Sequence, residues 1–215
     1  MSLIGYEENY LKLWYIAEGN LTKGTIYRLR YRTRNSVGWS LFSDTGFIQA
    51  ANVPHKPPVP VYVSSISTSI TMKFQQTADD GGTPVIGYKI FRDAGNDFTS
   101  SYVQMTTYDG MSSIFTATVA NDSLVTGRIY RFVYVATNSL GDSDYSNELI
   151  SGVGAPPVKP NPPYKDVELS NETSTFIYWD RIYTSDVSMS GYILYVDDGL
   201  SGDYNLVYDG SLNPA

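Results

Sequence analysis

The strongest constraint on the fold of this chain is an internal repeat. Residues 21–44 match residues 124–147 without a gap, at a spacing of 103 positions. Identical residues at matched positions are Leu21 and Leu124, Gly24 and Gly127, Tyr27 and Tyr130, Asn35 and Asn138, Gly38 and Gly141, Ser40 and Ser143, and Ser43 and Ser146. A fixed period of this kind indicates one structural unit used more than once.

The composition favours strands and excludes several partner classes. Aromatic residues make up 14% of the 215-residue chain, with 19 Tyr, and such side chains pack well on a pleated surface. The net charge of −7 argues against a nucleic-acid or anionic-membrane partner, which requires clustered Lys and Arg. No segment approaches the roughly 18 consecutive apolar residues that span a bilayer, so no membrane insertion is expected. Cysteine is absent, which excludes disulfides and thiolate metal sites.

Short alternating segments predict antiparallel strands. Ile70, Met72 and Phe74 alternate with polar residues, as in a strand that buries one face. The same alternation returns after residue 174. Proline-rich joints at 54–60 and 156–163 divide the chain, and proline there stiffens a linker and cannot complete a sheet.

Several motifs in their order along the chain resemble the fibronectin type III module. They are Phe74 and Trp179 in the second strand, the segment GGTPVIGY (81–88) before the third strand, the L-x5-Y spacing of Leu21/Tyr27 and Leu124/Tyr130, and N-S-x-G-x-S-x-x-S after the sixth strand. The resemblance implies an all-β fold, an immunoglobulin-like antiparallel β-sandwich of the fibronectin type III type, in tandem. It also implies that Tyr27 and Tyr130 form tyrosine corners. Phe74 stands where the family usually has Trp.

The phase of the repeat predicts three segments. Residues 1–53 form the C-terminal half of a module, residues 54–155 a complete module, and residues 156–215 the N-terminal half of another. An isolated half exposes an apolar sheet face and unpaired strand edges. Because the halves together hold every strand of one sandwich, and consecutive modules join end to end, we expect a strand-swapped homo-oligomer. The alternative is that the halves stay unpaired and poorly ordered.

An arginine comb is the most specific local feature. Arg28, Arg30, Arg32 and Arg34 alternate with Tyr27, Leu29, Tyr31 and Thr33, which predicts four guanidiniums on the solvent face of one strand. The following segment, Trp39 to Ser43, resembles the WSXWS element of cytokine receptors, with Phe42 in place of the second Trp. That resemblance implies rings interleaved with guanidiniums. Two interpretations stay open: a stabilising surface ladder, or a partner-binding surface. A cytokine receptor itself is disfavoured, because cysteine is absent and further modules follow.

Other candidate sites are weaker. Asn20, Asn121 and Asn171 begin N-x-[ST] sequons, which can be glycosylated on a secretory route; Asn20 and Asn121 are expected in exposed loops. Acidic pairs occur at Glu7–Glu8, Asp79–Asp80, Asp142/Asp144 and Asp197–Asp198, where turn formation is the favoured interpretation over a metal site. The one histidine, His55, lies in a proline-rich linker. No phosphate-binding loop or nucleophile motif occurs, so neither a catalytic site nor a cofactor is expected.

These features predict a non-enzymatic tandem segment of a larger extracellular or cell-surface protein. Its role would be spacing, adhesion or binding of a protein partner whose identity the sequence does not specify. Two alternatives remain, an accessory region of a secreted enzyme and an intracellular scaffold array, because the module serves unrelated functions.

Overall fold

A computed structural model describes residues 13–96, 98–184 and 186–211, so the predicted acidic pair Glu7–Glu8 lies outside the described residues. The elements in chain order are β1 (Ile26–Leu29), β2 (Gly46–Gln49), β3 (Val61–Ile66), β4 (Ser69–Lys73), β5 (Gly87–Arg92), β6 (Val103–Gln104), β7 (Ile114–Thr118), α1 (Val119–Asp122), β8 (Ile129–Asn138), β9 (Gly141–Asp142), β10 (Leu149–Gly152), β11 (Tyr164–Asp166), β12 (Phe176–Tyr178), β13 (Ile193–Val196) and β14 (Asn205–Asp209).

The described residues divide into two compact units. The first contains the chain up to Pro57 together with residues 76–88 and 135–144. It holds the antiparallel pair β1–β2, in which Ile26 lies opposite Gln49 and Leu29 opposite Gly46. The second contains residues 58–75 and 89–134 and the chain from Tyr145 onward.

Residues 61–152 form a sandwich of two antiparallel sheets. One sheet has the order β3-β4-β7 and the other the order β10-β8-β5-β6. On β4 the alternation works as the sequence predicts: Ile70 and Met72 are fully buried, whereas the Thr71 hydroxyl points outward and shares a hydrogen bond of 2.9 Å with Thr116 on β7. The predicted fold class, an antiparallel β-sandwich, is confirmed.

Aromatic side chains connect the two sheets across the core. Phe74, directly after β4, packs against Tyr134 of β8 with ring centroids 4.9 Å apart. The Tyr134 hydroxyl donates to the Gln75 carbonyl at 3.0 Å, so its one polar atom is satisfied within the core. Tyr130, Phe132 and Tyr134 are all fully buried. Large rings with paired hydroxyls supply most of the apolar area that stabilises a small sandwich.

The sequence predicted no helix, and the structure contains one short turn of helix, α1. The Thr118 hydroxyl caps it by accepting from the Asn121 amide at 3.1 Å. At its other end the Arg92 guanidinium donates to the carbonyls of Asp122 and Ser123 at 3.0–3.2 Å. A cation on unsatisfied terminal carbonyls is favourable, and four residues are too few to leave a periodic sequence signal.

Matched positions of the repeat differ strongly in burial. Tyr31, in the first segment, is 72% exposed, whereas its counterpart Tyr134 is fully buried. The pairs β1–β2, β11–β12 and β13–β14 are each two-stranded, and most of their apolar side chains are exposed. Their sequences therefore have the alternation of sandwich strands without the facing sheet that buries such strands.

Candidate functional site

Serine side chains define the geometry of the repeated N-S-x-G-x-S-x-x-S motif. Ser40 Oγ accepts from the Thr33 amide at 3.0 Å and donates to the Leu41 carbonyl at 2.8 Å. Ser43 Oγ accepts from the Tyr31 amide at 3.1 Å and donates to the Asp44 carbonyl at 2.9 Å. The two serine hydroxyls therefore accept from backbone amides that would bond to backbone carbonyls in a regular pair of strands. The spacing between the two backbone segments is thereby fixed by hydroxyls.

The second repeat makes the same bonds. Ser143 Oγ accepts from the Ala136 amide at 3.0 Å, and Ser146 Oγ accepts from the Tyr134 amide at 3.1 Å. Each hydroxyl again donates to the carbonyl of the next residue, at 2.8 and 2.9 Å. The motif is therefore a local structural device that both copies share.

Guanidiniums and rings alternate along the first copy of this motif. Arg30 Cζ lies 4.4 Å from the Phe42 ring centroid. Arg32 Cζ lies between two rings, 4.5 Å from Trp39 and 5.0 Å from Phe42. Arg34 Cζ lies 5.5 Å from Trp39. The resulting order is Arg34, Trp39, Arg32, Phe42, Arg30, with a cation on a ring face at each step.

The strand that was predicted to hold all four arginines is shorter than expected. β1 ends at Leu29, and beyond it only Arg34 pairs with Trp39 as an isolated bridge. Arg28 lies on β1 opposite Phe47, whereas Arg30 and Arg32 lie beyond the strand. The strand ends early because the Tyr31 and Thr33 amides donate to serine hydroxyls and not to backbone carbonyls. In the described residues, no second strand pairs with the other edge of β1.

The equivalent positions of the second repeat carry different chemistry on the same backbone. Where Arg34 contacts Trp39, the second repeat has Thr137 donating to Asp142 at 2.6 Å. Tyr145, the counterpart of Phe42, packs against Phe91 at 5.1 Å instead of against a cation. The backbone arrangement therefore does not require the arginine–ring contacts, which are specific to the first copy.

The arginines of the first repeat are exposed and weakly compensated by negative charge. Among the described residues, no carboxylate lies within ion-pair distance of Arg28, Arg30 or Arg32. An open pocket of about 410 Å³ borders this row, with Arg34, Asn35, Gly38 and Trp39 in its lining. The guanidinium faces of Arg30 and Arg32 lie on rings, which leaves the N–H donors in the plane of each group open to solvent.

Both predicted tyrosine-corner residues bond to nearby backbone. Tyr27 Oη accepts from the Thr22 amide at 2.7 Å, and Tyr130 Oη accepts from the Val125 amide at 2.9 Å. The acceptor in each case is five residues beyond the donor. Each tyrosine therefore closes the loop that precedes its own strand.

The predicted sequons lie on the surface in three settings. Asn20 is exposed in a bend, and Asn171 is exposed at a turn where its Oδ1 accepts from the Thr173 and Ser174 amides. Asn121 is also exposed but lies within α1, and not in the loop that the sequence predicted, because Thr118 caps a helical turn there.

The acidic pair Asp79–Asp80 lies in a turn, whereas Asp142 of the pair Asp142/Asp144 lies on β9. Asp79 Oδ1 accepts from the Gly81 amide at 2.7 Å, and Asp80 Oδ1 accepts from the Gly82 amide at 2.8 Å. Within the described residues, no three His, Asp or Glu side chains are grouped so that they could hold a metal ion. In the same part of the chain, no helix has the length and apolar character needed to cross a membrane.

A buried ion pair in the second unit was not found from the sequence. Asp93 is fully buried, and its Oδ2 accepts from Arg131 Nε at 2.8 Å. Its Oδ1 accepts from the amides of Gly95 and Arg131, both at 3.1 Å. Arg131 also donates to Glu148 at 3.1 Å and lies 5.2 Å from the Tyr102 ring. The available sequence signal was Arg131 itself, since of the four comb positions only that of Arg28 keeps an arginine in the second repeat.

Tyr102 in this cluster gives a pH-dependent prediction. Burial raises the pKa of its phenol from 10.0 to about 12, and its hydrogen bond to Glu148 acts in the same direction. Because folding favours the neutral phenol, its contribution to stability is complete below pH 10 and is lost as the pH rises towards 12. We expect the free energy of unfolding to fall more steeply over this range in the wild type than in Tyr102→Phe. Urea denaturation at several alkaline pH values measures it, and a constant difference between the two proteins would contradict it.

Asn138 is a second residue whose role the sequence did not reveal. Its buried Nδ2 donates to the carbonyls of Asn52 at 2.8 Å and Asp80 at 2.9 Å, and its Oδ1 accepts from the Leu140 amide. The side chain thus joins the linker before Pro54 to the turn at Asp80. The repeated Asn signalled a turn, but the two additional bonds depend on segments distant in sequence.

Replacing Asn138 with alanine should lower the free energy of unfolding by about 2 kcal/mol, because the buried amide group and its two partly buried hydrogen bonds to carbonyls are lost. Asn35→Ala is the matched control, since exposed Asn35 accepts only from the local amides of Val37 and Gly38 among the bonds described for it. Its expected effect is below about 1 kcal/mol. Chemical denaturation followed by circular dichroism compares the two variants. Equal losses of stability would show that the bonds of Asn138 to Asn52 and Asp80 are not the cause.

Comparison with known proteins finds distant likenesses. No family model matches the chain. A fragment of titin is 19% identical over 56% of this chain and 38% of its own length, with a TM-score of 0.43. The fibronectin type-III domain of human fibronectin type III domain containing protein 3 is 20% identical over 49% of this chain and 91% of its own, with a TM-score of 0.41. The FN1–FN3 domains of chicken CNTN1 are 20% identical over 65% of this chain and 46% of theirs, with a TM-score of 0.38.

These likenesses are distant, so the strand order and the hydrogen bonds of the chain itself carry the assignment. The sheets β3-β4-β7 and β10-β8-β5-β6, with Tyr130 bonded back to the preceding loop, are the arrangement of a fibronectin type III module. The resemblance predicted from the sequence is confirmed. The chain spans about 38% of the titin fragment that it matches.

Proposed function

We propose that this chain is a non-enzymatic segment of a larger extracellular or cell-surface protein, in which it acts as a spacer or adhesion module and binds a protein partner. The binding surface is the arginine face, which consists of Arg28, Arg30, Arg32 and Arg34 with the rings of Trp39 and Phe42. The partner presents carboxylates.

One observation carries the proposal: Arg30 and Arg32 of the arginine face keep their hydrogen-bonding edges in solvent. Arg30 and Arg32 place their flat faces on Phe42 and Trp39, and no described carboxylate pairs with either cation. A guanidinium has its N–H donors in its plane, so stacking leaves them available for a bidentate contact with a carboxylate. Ring contacts also restrict the side chains before binding, which lowers the entropy cost of a complex.

Charge gives the partner class. The chain as a whole carries −7, yet four cations occupy alternate positions within seven residues. An acidic protein segment is attracted by this local patch and is repelled by most of the remaining surface. Selective orientation of the partner follows from that contrast.

The test uses a fluorescent oligoglutamate peptide as the probe. We expect the double variant Arg30→Gln/Arg32→Gln to bind it at least tenfold more weakly than the wild type, and added salt to weaken wild-type binding. Lys159→Gln/Lys165→Gln removes the same charge from exposed positions elsewhere and is the matched control, with little expected change. Undiminished binding by the arginine variant, together with a lower melting temperature, would show that the row is only a stabilising ladder.

A further inference from the structure

The backbone that carries the arginine face is extended beyond the end of β1. The Tyr31 amide donates to Ser43 Oγ at 3.1 Å, and the Tyr31 carbonyl accepts from the Ser43 amide at 2.8 Å. Thr33 makes the same two bonds with Ser40, at 3.0 and 2.9 Å. Paired bonds at every second residue are those of two antiparallel extended segments. The matched residues of the second repeat make the same bonds within the strand β8, so the extended conformation is common to both copies.

This conformation sets the spacing of the arginines. An extended chain advances about 3.4 Å per residue and points successive side chains to opposite faces. Residues at alternate positions therefore recur on one face about every 6.8 Å. The residues at these positions are Arg28, Arg30, Arg32 and Arg34. Together they form a row of cations about 20 Å long.

The rings hold the central cations of the row in place. Arg32 Cζ lies 4.5 Å from the Trp39 ring centroid and 5.0 Å from that of Phe42. Arg30 Cζ lies 4.4 Å from the Phe42 ring centroid. Side chains that are already restricted lose less entropy when a ligand binds. A ligand that matches the repeat of the row is therefore favoured over one that requires the arginines to move.

We propose that the acidic partner, whose existence rests on the proposed function, lies along the arginine face as an extended segment with a carboxylate at every second residue. Alternate side chains of such a segment share one face and have the same repeat of about 6.8 Å. Successive carboxylates then meet the N–H edges of Arg30 and Arg32 in charge-assisted hydrogen bonds. Extended segments twist in the same sense, which keeps further contacts in register.

A helical partner matches this row less well. Carboxylates four residues apart on an α-helix recur about every 6.0 Å, and each is turned by about 40° from the one before. At the third contact the carboxylate is displaced by about 1.6 Å and turned by about 80°. A helix therefore reaches two guanidiniums of the row, whereas an extended segment continues along it.

Three fluorescent peptides with four glutamates each test the proposal by fluorescence anisotropy. The alternating peptide (Glu-Thr)4 has all four carboxylates on one face when it is extended, whereas the paired peptide (Glu-Glu-Thr-Thr)2 has the same composition and charge but two on each face. We expect the wild type to bind the alternating peptide at least fivefold more tightly than the paired peptide, because twice as many carboxylates meet the row. A stapled helical peptide with glutamates four residues apart should bind no better than the paired peptide.

Arg30→Gln/Arg32→Gln should bind the alternating and paired peptides equally weakly, because the central guanidiniums are removed. Lys159→Gln/Lys165→Gln removes the same charge from exposed positions elsewhere and should keep the preference. Circular dichroism checks that each variant is folded.

The outcomes separate the register from the proposed function. Equal binding of the alternating and paired peptides by the wild type, lost in the arginine variant, would overturn the extended register and leave an acidic partner supported. Binding of the helical peptide as tight as that of the alternating peptide would overturn the register in the same way. No binding of any of the three peptides would overturn both.

Discussion

Replacing Asp93 with alanine should lower the free energy of unfolding by about 3 kcal/mol or more. Asp93 is fully buried and accepts three hydrogen bonds, two from backbone amides and one from the Arg131 side chain. The substitution leaves the amides of Gly95 and Arg131 without these acceptors and removes the carboxylate that compensates the guanidinium. Glu148, which is more exposed, keeps only one end of Arg131 paired.

Urea denaturation followed by circular dichroism measures this loss. Asp144→Ala is the matched control, because Asp144 is exposed, and a surface substitution of this kind is expected to change stability by less than about 0.5 kcal/mol. Hydrogen exchange at Gly95 and Arg131 locates the effect, since both amides should exchange faster in Asp93→Ala. Similar stability of the two variants would show that the buried pair contributes little.

The alternation of residues predicted the strands, and the ordered motifs that resemble a fibronectin type III module predicted the sandwich, because these signals are local in sequence. Ile70, Met72 and Phe74 bury one face of a strand, and the spacing of Leu124 and Tyr130 defines the loop that the tyrosine closes. Each of these signals lies within a few residues. A repeated copy of the second signal at Leu21 and Tyr27 then predicted that the unit recurs, and Tyr27 does bond to the Thr22 amide.

The ion pair of Asp93 with Arg131 and the bonds of Asn138 to Asn52 and Asp80 could not be predicted, because they depend on contacts between distant segments. In sequence, Asp93 followed two residues later by Gly95 indicates an exposed turn, and the structure does contain that turn. Asp93 can be buried because it is paired with Arg131. Arg131 lies on β8, which is distant in sequence and meets Asp93 only in the folded chain. Asn138 behaves likewise: its turn is local, whereas its bonds to Asn52 and Asp80 are not.

Strand length was the other difference between expectation and structure. The regular alternation through Arg34 predicts a long strand, yet β1 ends at Leu29. In the second repeat the matched residues lie within the ten-residue strand β8, which has β5 beside it. Alternation therefore specifies the two faces of a segment, and a neighbouring strand determines how far the ladder extends.

Replacing Phe132 with alanine should lower the free energy of unfolding by about 3–5 kcal/mol, the usual range for removing a buried ring. Phe132 is fully buried and lies 6.0 Å from the Tyr130 ring. The cavity can collapse only in part, because Tyr130 is held by its hydrogen bond to the Val125 amide. Chemical denaturation measures the loss, and a value below about 1 kcal/mol would contradict the described core.

Leu29→Ala is the matched control for Phe132→Ala, because Leu29 holds the aligned position in the first repeat and is half exposed. Removing a half-exposed side chain leaves no enclosed cavity, so we expect its loss to lower the free energy of unfolding by less than about 1 kcal/mol. The same denaturation experiment compares the two variants. Equal losses would show that the burial of Phe132 does not determine its contribution to stability.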